Sequence, residues 1–379
     1  MFNETISFIK SLYGEDRFIP LHEPKFIGNE KKYLNECIDS TFVSSVGKFV
    51  DRFEQMLCEI TGSKYAVACM NGTAALHMSL ILAGVEENDE VLTQALTFVA
   101  TANAIFYTNA HSVFLDSAED NLGLCPNDLK KFLENNCEMR NGECFNKTTN
   151  RRVRACVPMH TFGHPVKLDE IINICQKYHI FVIEDAAESI GSFYNGKHTG
   201  TYAPIGALSF NGNKTVTAGG GGALLIQDEA MAKRAKHLTT TAKIPHRYEF
   251  RHDEIGYNYR MPNLNAALIC AQLEKLEEFV DNKRQTANLY REFFKNTEFQ
   301  FIDEPENCKS SFWLNAIRCS DLSQRDRFLQ ESNDNNVMTR PVWTLMSELP
   351  AFKHCQTSEL LNAKKYQDTI VNIPSSVRL

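Results

Sequence analysis

The chain lacks any long uninterrupted apolar run, so none of its 379 residues falls in a stretch able to cross a bilayer. Met1 to Phe18 mixes Glu4, Lys10, Glu15, Asp16 and Arg17 with apolar residues, which is unlike a secretory leader. It also lacks C-x-x-C. Its twelve cysteines are dispersed, which argues against a zinc or disulfide scaffold and for reduced thiols in a cytoplasmic protein. The N-x-T triplets at Asn146 and Asn213 then carry no meaning, and no metal site is expected. Positive charge is short as well: 40 Lys and Arg against 47 Asp and Glu leave a net charge of -7. That balance argues against nucleic acid as the main partner. Repeats and low-complexity tracts are missing. The glycine run Gly219 to Gly222 does not have the G-x-G-x-x-G spacing that a nicotinamide dinucleotide site would need.

What is present is ordinary globular material: 43% hydrophobic, 10% aromatic and 23% charged residues, enough for about two domains. The expected division is a lead-in of helices over residues 1–45, a large domain over 46–250, and a long helix with a small C-terminal domain over 251–379. Strand and helix patterns alternate through the large domain. Tyr65 to Met70, Asp89 to Thr93, Ser112 to Leu115, Ala155 to Met159 and Ile180 to Glu184 read as strands, with helices between them. Such alternation predicts βα units on a parallel sheet. The polar run Cys137 to Arg154 reads as a surface insertion. Asn263 is expected to cap a helix running from Leu264 to Asp281 and on to Phe294.

Several residues on this frame carry chemistry. Lys214 stands in a short polar loop between the apolar runs Gly206 to Phe210 and Ala223 to Ile226, where a partly desolvated amine would serve as a Schiff-base lysine. The glycines after it would let the backbone approach whatever Lys214 holds. Asp185 comes at the carboxyl end of its strand, where open parallel sheets bind ligands, and a carboxylate there would keep a pyridine nitrogen protonated. The turn Asn71-Gly72-Thr73 opens a helix whose free N–H groups and dipole suit a phosphate. Phe98 would lie flat on an aromatic ligand. Taken singly, each has a plain structural alternative, since a loop lysine is usually solvated and a strand-end acid is usually a turn residue.

The order of these pieces resembles the fold-type I pyridoxal phosphate (PLP) enzymes, and within them the DegT/DnrJ/EryC1/StrS family of sugar aminotransferases. The resembling segments are NGTAALHMSL, TFVATANA, HTFGHP, IEDAAES, SFNGNKTVTAGGGGAL, GYNYRMPNLNAAL and TRPVW, spread from about residue 20 to the end. The resemblance implies an α/β fold of the aspartate aminotransferase type: a mostly parallel seven-stranded sheet in the large domain and a smaller C-terminal α+β domain. It implies PLP bound to Lys214, Asp185 on the pyridine nitrogen, and Phe98 stacked on the ring. Glu188 stands near the ring where many relatives have Gln. Gly72, Thr73 and Ser209 would hold the phosphate, with Asn258 reaching it from the other subunit of a homodimer. His164, Arg260, Arg340 and Trp343 would contact substrate or amino donor.

A subgroup resembling this family performs dehydration with His at the lysine position, so Lys214 favours transamination. The EDAAES and FNGNKTVTAGGGGALL wording looks like the LegC-type branch. The function so implied is transfer of an amino group from glutamate to a UDP-linked 2-acetamido-4-keto-6-deoxy hexose, on the way to legionaminic acid or bacillosamine-type sugars. The alternatives are a GDP-linked 4-keto-6-deoxymannose (perosamine-type), a 3-keto sugar, and a catalytically silent sensor of nucleotide sugars, from which loss of Lys214 or Asp185 would be expected.

Overall fold

The computed structural model describes residues 2–379. Seven strands build the central sheet: β1 (Tyr65–Cys69), β2 (Glu90–Gln94), β3 (His111–Leu115), β4 (Val153–Val157), β5 (Phe181–Asp185), β6 (Ile205–Ser209) and β7 (Gly222–Ile226). Their order is β1-β7-β6-β5-β4-β2-β3. The pairings β6 to β5, β5 to β4, β4 to β2 and β2 to β3 are parallel, and β7 runs antiparallel to both β1 and β6. The sheet is therefore mostly parallel, with one reversed strand.

Helices cover both faces, which is why β6 and β7 read as nearly unbroken apolar runs. In β7 the two-residue period of a strand divides the side chains cleanly. Ala223 and Leu225 join one core with Phe49, Phe53 and Ala267, while Leu224 and Ile226 join the other with Leu76, Met78 and Ala235. The first core comes from the helices Glu30–Asp39, Lys48–Thr61 and Asn263–Leu273, and Phe53 meets Phe210 there edge to face at 5.3 Å. Such a pair adds about 1 kcal/mol to the burial of its area.

A second, antiparallel sheet lies in the C-terminal part: Gln300–Phe301, Asn315–Arg318, Ile370–Ile373 and Arg340–Pro341, in that spatial order. The first helix, Phe2–Tyr13, packs here, with Phe2, Ile6 and Ile9 sharing a core with Tyr290, Phe328, Val371 and Ile373.

Three local expectations are corrected. The helix from residue 264 breaks at Lys275 (φ -111°, ψ 3°) into Asn263–Leu273 and Leu276–Phe294. Just before the break, the Glu274 carboxylate is held by the Tyr33 hydroxyl at 2.7 Å and by Asn29 at 2.8 Å. Asn263 does not cap its own helix, whose N-cap is Pro262. Its side chain instead serves a neighbour: Oδ1 accepts the Phe49 N–H at 3.1 Å at the start of Lys48–Thr61, and Nδ2 donates to the Phe42 carbonyl at 2.7 Å. Finally, the insertion is more than surface. It contains the hairpin Cys137–Arg140 and Glu143–Asn146, whose inner face buries Cys137 and Cys144 in the core beside β4.

Candidate active site

The chemistry-bearing segments converge because they all leave the sheet at one edge. β1, β5 and β6 end there in Cys69, Asp185 and Ser209, and the reversed β7 begins there at Gly222. Gly72, Thr73, Phe98, Asp185, Glu188, Ser209, Lys214 and Trp343 line one cavity of about 380 Å³.

Its phosphate end is the start of the helix Gly72–Leu82. Asn71 caps this helix, its Oδ1 accepting the Ala74 N–H at 2.8 Å. The Gly72 and Thr73 amides are first-turn donors, which a helix leaves without partners inside itself. A Cβ on Gly72 would stand 2.8 Å from Ser209 Cβ, so glycine is what brings helix and strand together. Within the glycine run, Gly222 has a packing use of its own. A Cβ on Gly222 would come within 2.3 Å of the Asn71 carbonyl oxygen, so this glycine lets β7 pass beneath the Asn71 turn. Asn265 fastens the rest of the run, donating to the carbonyls of Ala218 and Gly220 at 3.0 and 2.9 Å.

Asp185 lies at the floor, 2% exposed. Thr101 donates to its Oδ2 at 2.7 Å and the Ala187 N–H to its Oδ1 at 3.2 Å. Burial pushes its carboxyl above the usual range, against the pull of those bonds and of Lys214. The neighbouring Glu184 is fully buried and fixes the surrounding turns, accepting from the amides of Gly200 and Ala203 at 2.6 Å each and meeting His160 Nε2 at 3.2 Å.

Lys214 is 8% exposed. Its Nζ lies 3.2 Å from Glu188 Oε1 and 3.7 Å from the centre of the Trp313 ring. Burial also raises the Glu188 carboxyl, with Lys214 opposing.

The donor set fits PLP: amides and a hydroxyl for a phosphate, an aromatic face at Phe98, a buried carboxylate for a ring nitrogen, and an amine.

Four expected contacts lie elsewhere in this chain. His164 is fully buried, with neither ring nitrogen hydrogen-bonded, and it packs edge-on against Phe312 at 5.2 Å. It is a core residue and does not line the cavity. Arg340 is exposed on its strand, and Asn258 and Arg260 are exposed and bonded to each other at 3.1 Å. Sequence reading missed Trp313 and Thr101, and placed Asn71 in the turn without giving it the capping role. Thr101 stands one helical turn beyond Phe98 and was within reach of the helical period. Trp313 had no local signal.

A seven-stranded sheet with one reversed strand, a helix-borne anion cradle, and a lysine and buried aspartate at the carboxyl edge define a fold-type I PLP enzyme. The chain belongs to the DegT/DnrJ/EryC1/StrS aminotransferase family, whose sequence model matches residues 24–379. It is a PLP-dependent sugar aminotransferase. It is 35% identical over 336 residues to a GDP-perosamine synthase of Escherichia coli O157:H7, covering 89% of this chain and 87% of that protein. It is 32% identical over 360 residues to a GDP-perosamine synthase of Vibrio cholerae, covering 94% of each. Among solved structures, Helicobacter pylori PseC, an aminotransferase involved in the biosynthesis of pseudoaminic acid, superposes with a TM-score of 0.85 at 23% identity, covering 94% of each chain.

Proposed function

We infer that this enzyme moves the amino group of glutamate onto the keto carbon of a nucleotide-linked 4-keto-6-deoxy hexose. The observation that carries the reading is the placing of Lys214 and Asp185 in one cavity with the Gly72, Thr73 and Ser209 cradle. When bound, PLP supplies an electron sink and carries the amino group between donor and acceptor. In this reading Gly72, Thr73 and Ser209 hold its phosphate, Asp185 keeps its ring nitrogen protonated, and Phe98 covers the ring. Lys214 binds it covalently, takes the proton from the donor's α-carbon and returns one to the sugar carbon. Trp343, at the rim beside Phe98 (ring centres 6.3 Å apart), faces the sugar.

Two nucleotides compete. The names of the two relatives favour a GDP sugar, and the EDAAES and FNGNK wording favours a UDP-linked 2-acetamido sugar. We take the 4-keto-6-deoxy hexose as the shared substrate chemistry. The working unit is proposed to be a homodimer in which Asn258 completes the partner's phosphate site. In support, the ribbon after helix Glu229–Thr239 presents Tyr248, Phe250 and Ile255 at 76%, 81% and 83% exposure, more apolar surface than a free loop would usually offer.

The test is spectral. Adding PLP to the purified protein is expected to produce a visible absorbance band that Lys214→Ala lacks and that glutamate bleaches. A panel of GDP- and UDP-linked 4-keto sugars then shows which one restores it. If no lysine-dependent band forms, the assignment is wrong. If the band forms but no 4-keto sugar restores it, the substrate class is wrong.

A further inference from the structure

Trp313 is far from the reactive loop in sequence, just before the strand Asn315–Arg318 of the C-terminal sheet. Its indole nevertheless touches that loop twice. The Lys214 Nζ sits 3.7 Å from the ring centre, and the indole Nε1–H donates to the Asn213 carbonyl at 2.7 Å. The same ammonium meets Glu188 Oε1 at 3.2 Å, and Glu188 is itself oriented, because its Oε2 accepts the Phe162 N–H at 3.0 Å. Lys214, Glu188 and Trp313 are all buried.

Resting on the reading of Lys214 as the reactive amine, we propose that Trp313 and Glu188 form a docking place for the free Lys214 ammonium. They are positioning residues that hold the amine, charged and parked, whenever it is not bound to cofactor. The π face of an indole attracts a cation, and a carboxylate does so more strongly; both attractions grow where water is excluded. Each partner is pinned by a hydrogen bond of its own, so neither can swing away without breaking a second contact. Burial opposes the charge on Glu188, and the ammonium opposes that burial, which is the mutual dependence a docking pair requires. An amide at position 188 would keep a dipole there but no charge. The carboxylate therefore holds the amine until it leaves to attack. Glu188, Lys214 and Trp313 all line the same cavity, so the docking place opens directly onto it.

The experiment uses the full chain without cofactor. Brief acetic anhydride pulses from pH 6 to 10, read by mass spectrometry, give the acetylation of Lys214 as a function of pH. Lys283, fully buried, reports in the same digest whether the fold is intact. Trp313→Leu is expected to move the Lys214 profile to lower pH, with roughly threefold or more labelling at pH 8. Glu188→Gln should move it the same way, and Trp313→Phe, which keeps an aromatic face, should restore most of the native profile. If Trp313 only shielded the amine, labelling would rise equally at every pH, with no displacement. That result, or native profiles in both Trp313→Leu and Glu188→Gln, overturns the proposal. If Lys283 becomes labelled in Trp313→Leu, Trp313→Phe and Glu188→Gln decide. Because no cofactor is present, this test fails or succeeds independently of the spectral one.

Discussion

Gly72 faces Ser209 so closely that a Cβ on the glycine would stand 2.8 Å from the serine Cβ, inside the distance side-chain carbons keep. The contact forms one wall of the anion cradle. Gly72→Ala must push helix and strand apart at the point where the phosphate is proposed to sit. We expect its affinity for PLP to fall by at least about tenfold, roughly 1.4 kcal/mol. Fluorescence titration of the cofactor-free protein measures this, and unchanged affinity would place the phosphate elsewhere.

Asp185→Asn keeps the size of the side chain and an oxygen for the Thr101 hydroxyl, but removes the charge. Cofactor should still bind, while turnover falls on the order of 10²- to 10³-fold, as when a preorganised electrostatic partner is lost. Steady-state kinetics should show the loss in kcat with little change in KM for the sugar.

Two fully buried histidines make the fold acid-sensitive. Burial pulls His164 and His198 down to about 4 from an ordinary 6.5. Between those values the unfolded chain binds more protons than the folded one, so stability falls as the pH drops from 6.5 towards 4. His198 accepts the Gly191 N–H at 2.8 Å and so needs its neutral form. His164 makes no hydrogen bond, so His164→Phe should flatten the decline by about 3 kcal/mol across the window. Urea unfolding at pH 7 and pH 4.5 compares the two proteins.

Lys283 works at the other end of the scale. It is fully buried with its ammonium on the Ser375 carbonyl, and burial lowers it to about 7 from 10.5. From pH 7 to 10 the unfolded chain again holds the extra proton, so this residue's contribution to stability grows with rising pH. Relative to Lys283→Met, the native protein should gain on the order of a few kcal/mol over that range. Parallel urea midpoints at pH 7 and pH 9.5 would refute the assignment.

Lys214, Asp185 and Gly72 were legible in the sequence because each is a local event, a strand ending in a polar turn, and the sheet collects such turns at one edge. Trp313 escaped because nothing near it in sequence marks the loop it reaches. His164 was read as a contact because the HTFGHP turn resembles a site segment; in the structure its ring packs against Phe312 and does not line the cavity. The break at Lys275 was invisible because the helical period continues through it, while its surroundings, Glu274 gripped by Asn29 and Tyr33, come from the other end of the chain. The glycine run was read for ligand approach, but at Gly222 it serves an approach of backbone to backbone.

The position of β7 bears on how the protein is made. Among the described residues β1 pairs only with β7, so this strand has no neighbour in the sheet until residue 226 has emerged. The helix Phe2–Tyr13 waits longer, because its partners include Val371 and Ile373. On a ribosome, which delivers the amino end first, this helix is made long before the residues that house it. Its apolar stripe stays bare until those residues have emerged, and in that interval the nascent chain is open to aggregation or to capture by a chaperone.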